Sequence, residues 1–178
     1  MKDLNTNSTN PSNQQLNNLL KCYQTGRYVD AEKLSLSITK EFPEHAFAWK
    51  VLGIVLKKTG RINEALFANQ KSVQLEPMNM ETNFNLGNTL QELGRLEEAE
   101  ACYRQAISIK PDYAEAHNNL GVTLQRIGRL EEAEACYRQA ISIKPDYAEA
   151  HNNLGVTLQR IGRLEEAEAC YRQAISIK

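Results

Sequence analysis

Apolar and small residues recur every three or four positions along most of the chain, a spacing that indicates amphipathic helices. Between residues 114 and 127 one helical face gathers His117, Leu120, Gly121, Leu124 and Ile127. Between residues 130 and 144 a second face gathers Leu130, Ala133, Tyr137, Ala140, Ile141 and Ile143. Gly128 and Arg129 interrupt the pattern between them, and Pro145 ends the second face. The pattern predicts a pair of antiparallel helices.

This pair is repeated along the chain with a period of 34 residues. Positions that lie 34 residues apart are called a column below. All nine glycines fall into two columns, which are Gly26, Gly60, Gly94, Gly128 and Gly162, and Gly53, Gly87, Gly121 and Gly155. Alanine at position 133 and proline at position 145 also recur at this step in other units. A period of 34 is the signature of the tetratricopeptide repeat.

With these columns, residues 12–178 resemble a tetratricopeptide-repeat protein. The resemblance implies an all-α fold, a right-handed superhelical α-solenoid of antiparallel helix pairs, whose concave surface is lined by the first helix of each unit. It divides one array into about five units, at residues 12–45, 46–79, 80–113, 114–147 and 148–178. The family binds peptides and organises complexes, so the resemblance implies no enzyme activity and no cofactor. Residues 1–11 are polar and are predicted to be a disordered tail.

The two ends of the array depart from the regular pattern. In the first unit Leu19 occupies a glycine column and Ser35 a tyrosine column, so the close packing of that pair is in doubt and a degenerate N-terminal cap is expected. Residues 94–144 recur unchanged as 128–178, a 51-residue identity that indicates a very recent or deliberate duplication. The last pair carries no polar terminal helix, which suggests a truncated or engineered array.

Charge and composition reduce the number of functions that are expected for the chain. A net charge of −1 offers no basic field for nucleic acid. No apolar run is long enough for a signal peptide or a membrane span, so a cytoplasmic location without membrane contact is expected. Cys102, Cys136 and Cys170 follow the repeat rather than a metal or redox spacing.

Asparagines suggest what the concave surface does. Asn85, Asn119 and Asn153 form one column, and Phe84, Asn118 and Asn152 form its neighbour. These columns resemble the asparagine ladder in the superhelical region of O-linked N-acetylglucosamine transferases, which grips the backbone of a bound polypeptide. The predicted peptide-binding residues are Asn85, Asn88, Asn118, Asn119, Asn152, Asn153, Lys50, Phe84, Arg126 and Arg160.

The chemistry of the amide supports this interpretation. A carboxamide both donates and accepts hydrogen bonds, so it can pair with a peptide main chain without reading side chains. Rungs ~10 Å apart along a strand rising ~3.3 Å per residue would hold a segment of roughly seven to nine residues. The alternative is that the amides are solvated or tie neighbouring helices together.

Other chemistry is weakly represented. His117 and His151 share a column with Trp49, so packing is expected rather than metal binding. Lys50, Lys57 and Lys58 suggest an acidic ligand, but the later units carry glutamates where a carboxylate clamp would need basic residues. Three functions remain: a peptide-binding scaffold, which is favoured; the recognition part of a larger enzyme such as a glycosyltransferase; and a protein that self-associates through Tyr171, Ala174 and Ile175 of its last helix pair.

Overall fold

The computed structural model describes residues 10–177, and these residues form ten α-helices and no strand. Their bounds are α1 Asn13–Gln24, α2 Tyr28–Glu41, α3 Ala46–Lys58, α4 Ile62–Leu75, α5 Met80–Glu92, α6 Leu96–Ile109, α7 Ala114–Ile127, α8 Leu130–Ile143, α9 Ala148–Arg160 and α10 Leu164–Ser176. The helices predicted from the apolar pattern of the fourth unit are confirmed as α7 and α8. The predicted disordered tail lies almost wholly outside the described residues.

The helices group into two compact units, one extending to Pro77 with α1–α4 and one from Met78 onwards with α5–α10. Within each unit, consecutive helices pack as pairs, and the second helix of a pair packs on the first helix of the next. This arrangement is the α-solenoid predicted from the 34-residue period. Because helices contact only close neighbours in the sequence, each pair depends on the pairs beside it.

Glycine ends α7 for a conformational reason. Gly128 is the C-terminal cap of α7 with φ of 94°, in the left-handed region that side chains with a Cβ disfavour. A Cβ built at Gly128 would meet no heavy atom within 4 Å. The backbone conformation, not crowding, therefore calls for glycine at this turn.

Gly121, in the other glycine column, faces a bulky side chain on the paired helix. A Cβ built on Gly121 in α7 would lie 2.6 Å from Cε1 of Tyr137 in α8, and Tyr137 is fully buried. In the first pair the sizes are exchanged, with Leu19 in the glycine column and Ser35 in the tyrosine column, and both are fully buried. The doubt about packing in that pair was therefore wrong, because a larger side chain on one helix accompanies a smaller one on the other.

Ion pairs link successive second helices on their outer side. Arg104 lies 2.9 Å from Glu100 and 3.3 Å from Glu132, while Arg129 lies 2.8 Å from Glu100 and 2.6 Å from Glu132. These four residues close a ring that joins α6, α8 and the turn before α8. The same ring recurs one repeat later with Glu134, Arg138, Arg163 and Glu166.

Candidate functional site

The predicted site residues of the second unit lie on its three first helices, α5, α7 and α9, which contact one another in order. Asn85 and Asn88 belong to α5, Asn119 to α7 and Asn153 to α9, and all four are half-buried. This surface is called the amide face below. Asn88, Asn119 and Asn153 are joined by a continuous series of hydrogen bonds.

The series begins at a tyrosine and ends two helix pairs later. Tyr103 Oη and Asn119 Nδ2 both donate to Asn88 Oδ1, each at 2.8 Å. Asn118 Nδ2 donates to Asn119 Oδ1 at 3.2 Å, and Asn153 Nδ2 donates to Asn118 Oδ1 at 3.0 Å. Burial raises the pKa of Tyr103, which keeps its hydroxyl protonated as a donor. Adjacent asparagines thus have separate tasks, since Asn119 reaches back to α5 and Asn118 accepts from α9.

The position of Asn118 corrects the sequence analysis. It was predicted at the groove, but its side chain is 0 % exposed. Its Nδ2 also donates to Glu149 Oε1 of α9 at 3.2 Å. Asn118 therefore ties neighbouring helices, which is the alternative that the sequence left open, and it presents no open surface for a ligand.

Phe84 and Asn152 occupy the same column as Asn118 in other environments. Phe84 is half-buried, with its ring centroid 4.9 Å from that of Tyr113 and 5.9 Å from that of Tyr103. Asn152 is exposed. Only Asn152 of this column offers its amide openly.

The amide face retains hydrogen-bonding capacity after these contacts. A carboxamide has two N–H donors and an oxygen with two lone pairs. Asn119 Oδ1 accepts one bond and has a second lone pair, and within residues 10–177 Asn88 Nδ2 and Asn153 Oδ1 engage no other residue. The face can therefore both donate to and accept from a bound main chain.

Charged rows border the amide face at the two ends of its helices. Glu115 and Glu149 lie in the first turns of α7 and α9, and Arg126 and Arg160 lie in the last turns. Each arginine donates one Nη1 bond to a main-chain oxygen of the preceding first helix, Arg126 to Gln91 at 2.9 Å and Arg160 to Gln125 at 3.3 Å. Both guanidinium groups remain exposed and keep further donors for a ligand.

The first unit has a different surface. Val51 stands in the column of Asn85 and Asn119, and it is buried. Lys50 beside it places Nζ 5.5 Å from the centroid of the Phe47 ring. Val51 therefore interrupts the asparagine column, which also contains Asn17 of α1, and Lys50 belongs to a surface of the first unit.

The histidines of α7 and α9 contact the turn that precedes each helix. Nε2 of His117 and of His151 each lies 2.9 Å from the carbonyl oxygen of a proline six residues earlier, Pro111 and Pro145. Trp49, in the same column, donates from Nε1 to the Pro43 oxygen at 2.7 Å. Across the described residues, no group of three or more His, Cys, Asp or Glu side chains is placed to hold a metal ion.

None of the helices within residues 10–177 combines the length and the apolar character of a membrane span.

Comparisons with known proteins agree with the repeat pattern. A family model described as "Tetratricopeptide repeat" matches residues 79–146 and 112–178. A crystal structure of MamA is similar with a TM-score of 0.82 and 24% identity, over 88% of this chain and 92% of that one. A MamA structure from Desulfovibrio magneticus has a TM-score of 0.84 and 18% identity, over 92% and 93% of the two chains.

YrrB, described as "a TPR protein with an unusual peptide-binding site", has a TM-score of 0.80 and 21% identity, over 94% of this chain and 87% of its own. No curated protein matches this chain. At these identities the structural similarity establishes a shared fold.

Proposed function

This chain belongs to the tetratricopeptide-repeat family, and we propose that it is a non-catalytic interaction scaffold whose amide face binds an extended segment of another protein. The remaining hydrogen-bonding capacity of Asn88, Asn119 and Asn153 is the observation that carries this proposal. The peptide-binding site named for YrrB, a protein of the same fold, supports it.

Main-chain recognition follows from the chemistry of the face. Carboxamides on successive first helices, ~10 Å apart, meet an extended strand about every third residue. The column of Asn85, Asn119 and Asn153 would hold roughly seven to nine residues of such a strand. Because amides do not distinguish side chains, the partner is defined by its extended backbone more than by its sequence.

The hydrogen-bond series prepares the face for binding. Asn118 fixes the orientation of Asn119 and Asn153 from below, so these amides do not have to be ordered when a ligand arrives. Preorganisation of this kind reduces the entropic cost of association. Asn118 is thus proposed as a positioning residue, and Asn85, Asn88, Asn119 and Asn153 as the residues that contact the ligand.

The charged rows give the segment a preference. Alternate side chains of an extended strand point to opposite sides. A strand on the amide face would direct one set toward Glu115 and Glu149 and the other toward Arg126 and Arg160. The preferred partner therefore alternates basic and acidic side chains.

A peptide-display selection tests this proposal. The parent chain is compared with a variant in which Asn85, Asn119 and Asn153 are changed to alanine, which favours helix formation. The matched control changes three exposed asparagines of the first unit that lie outside this column, Asn13, Asn18 and Asn63, to alanine. Circular dichroism confirms that all three proteins have equal helix content.

We expect the parent and the control to enrich extended peptides with alternating charge, and the amide-face variant to enrich none of them. If all three proteins enrich the same peptides, the amides serve only the contacts between helices, and the proposal is wrong.

A further inference from the structure

Two glutamates at equivalent positions border the amide face, and their contacts differ. Glu149 Oε1 accepts a hydrogen bond from Asn118 Nδ2 at 3.2 Å. Glu115 has Phe84 in the column of Asn118, and a phenyl ring carries no amide donor. Instead, Lys144 Nζ lies 3.8 Å from Glu115 Oε1. Among the described residues, Glu115 thus lacks the amide donor that Glu149 has.

The contact between Lys144 and Glu115 is weak. Its separation of 3.8 Å exceeds the donor–acceptor distance of an N–H···O hydrogen bond, which is about 2.7–3.2 Å. The two side chains are 46% and 45% exposed. Exposed ion pairs contribute little to stability. The ammonium of Lys144 can therefore leave the carboxylate at little cost.

An aromatic ring also contacts this ammonium. Lys144 Nζ is 5.0 Å from the centroid of the Tyr147 ring, within the range of about 6 Å for a cation–π contact. Burial raises the pKa of Tyr147 to about 12, and the charges of Glu149 and Glu115 raise it further. One position therefore lies within reach of both a ring and a carboxylate, the two groups that bind an organic cation.

The preceding repeat places a lysine in the same way. Lys110 Nζ lies 6.0 Å from the centroid of the Tyr113 ring. Burial raises the pKa of Tyr113 to about 12, and the charges of Glu115 and Glu81 raise it further. The charge of Glu115 thus acts on the tyrosines of two successive turns, Tyr113 and Tyr147.

A guanidinium group would fit the position of the Lys144 ammonium better than the ammonium does. It is planar, so it can stack on a tyrosine ring while two of its N–H groups bond to one carboxylate. The ammonium is a compact charge that does not come within hydrogen-bond distance of Glu115. The position therefore favours arginine over lysine.

We propose that Glu115 and Tyr147 form a subsite for an arginine side chain of the bound segment, and that Lys144 occupies this subsite in the unbound chain. The inference rests on the proposed function in one respect, since the arginine is taken to belong to the segment on the amide face. Lys144 is then an internal competitor. A partner with arginine at this position displaces it, whereas a partner with lysine only exchanges one ammonium for another.

Nuclear magnetic resonance with Nα-acetylarginine amide tests the subsite separately from the amide face, because a single residue has no extended backbone. The tyrosine rings of the full chain are isotopically labelled, and Tyr147→Phe identifies the signal of Tyr147. Tyr103 and Tyr137 are fully buried and give reference signals that should not move. The control ligands are the corresponding citrulline derivative, which has a similar shape without the charge, and the lysine derivative.

Two variants and a matched control locate the binding. Lys144→Met removes the competing ammonium and should tighten the arginine derivative by roughly three- to tenfold, since one exposed ion pair and one cation–π contact no longer compete. Glu115→Gln should abolish the preference for the arginine over the citrulline derivative. Lys40→Met makes the same change at an exposed lysine in the last turn of α2 and should leave the affinity unchanged.

We expect a saturable shift of the Tyr147 signal with the arginine derivative, a weaker one with the lysine derivative and none with the citrulline derivative. The inference is wrong if this signal stays unmoved in both the parent and Lys144→Met, or if it moves equally with all three ligands. Equal gains from Lys144→Met and Lys40→Met would show that net charge alone is responsible, and would also overturn it. The two proposals fail separately, because a Tyr147 shift without peptide selection retains the subsite and overturns the amide face.

Discussion

Exchange of side-chain size between paired helices predicts a compensating double substitution. In the fourth repeat Gly121 faces Tyr137, whereas the first repeat has Leu19 and Ser35 in the same columns. We therefore consider Gly121→Leu, Tyr137→Ser and the two changes together. The single changes should each destabilise the second unit, and the double change should cost less than the two single changes combined.

The magnitudes follow from the packing. Removing a fully buried aromatic ring, as in Tyr137→Ser, costs about 3–5 kcal/mol. Gly121→Leu places a Cβ 2.6 Å from the Tyr137 ring, and such overpacking costs about 1–3 kcal/mol, offset by roughly 1 kcal/mol of helix propensity. In the double variant the leucine occupies space left by the ring, so we expect a coupling of about 2–3 kcal/mol in favour of the pair.

Urea denaturation followed by far-UV circular dichroism measures the free energies of unfolding. The same substitutions at Gly155 and Tyr171 are a matched control, because the sequence is identical and Tyr171 is only half-buried. The effects there should be smaller. A double variant at Gly121 and Tyr137 that loses as much stability as the two single variants combined would refute size exchange as the reason for the Leu19 and Ser35 pair.

Two further predictions concern the ion-pair rings and the cysteines. Hydrogen bonds from Arg129 and Arg163 lower the pKa of Glu132 and Glu166 below the ordinary value of 4.5. The rings therefore stabilise the fold above pH 4.5, and this stabilisation is lost as the pH falls through the lowered pKa. The urea midpoint of unfolding of the parent should therefore fall more between about pH 6 and about pH 3 than the midpoint of a Glu132→Gln, Glu166→Gln variant. If both midpoints fall equally, the rings do not contribute to the pH dependence of stability. Burial raises the pKa of Cys136 to about 11, and Cys170 lies on the less covered last pair, so iodoacetamide should label Cys170 faster. Single-cysteine variants are required, because residues 96–104, 130–138 and 164–172 are identical and their labelled peptides could not be told apart. Equal labelling rates of Cys136 and Cys170 would mean that the last pair is covered in solution.

Periodicity was sufficient to predict the helices and the class of fold. Apolar residues at helical spacing, with Gly128 and Pro145 at the ends, determined α7 and α8 to within one residue. The roles of the two adjacent asparagines were harder to separate. Neighbouring residues differ by ~100° around a helix, and both Asn118 and Asn119 are polar, so only the position of α9 shows that Asn118 is buried.

The pairing of Leu19 with Ser35 illustrates a similar limit. Each residue alone looks like a defect in its column, and the compensation depends on the distance between two helices. Arg126 was predicted to bind a ligand, and the structure adds a contact that spacing could not reveal, since its Nη1 donates to a main-chain oxygen of α5. Side-chain hydrogen bonds across repeats leave no periodic signal of their own.

The identity of residues 94–144 and 128–178 also bears on how the chain folds. α9 and the turn after it carry the donors Asn153, Arg160 and Arg163, which are equivalent to Asn119, Arg126 and Arg129 of α7 and its turn. α5 and α6 offer the acceptors Asn88, Gln91 and Glu100 to either set. During folding the last pair therefore has two docking sites. If α9 docked on α5 and α6, then α7 and α8 would be left out of the array as a connecting loop. Closure of such a loop adds only about 0.6 kcal/mol per doubling of its length. Correct assembly thus relies on α7 reaching α5 first, and proximity along the chain provides this order where the side chains cannot.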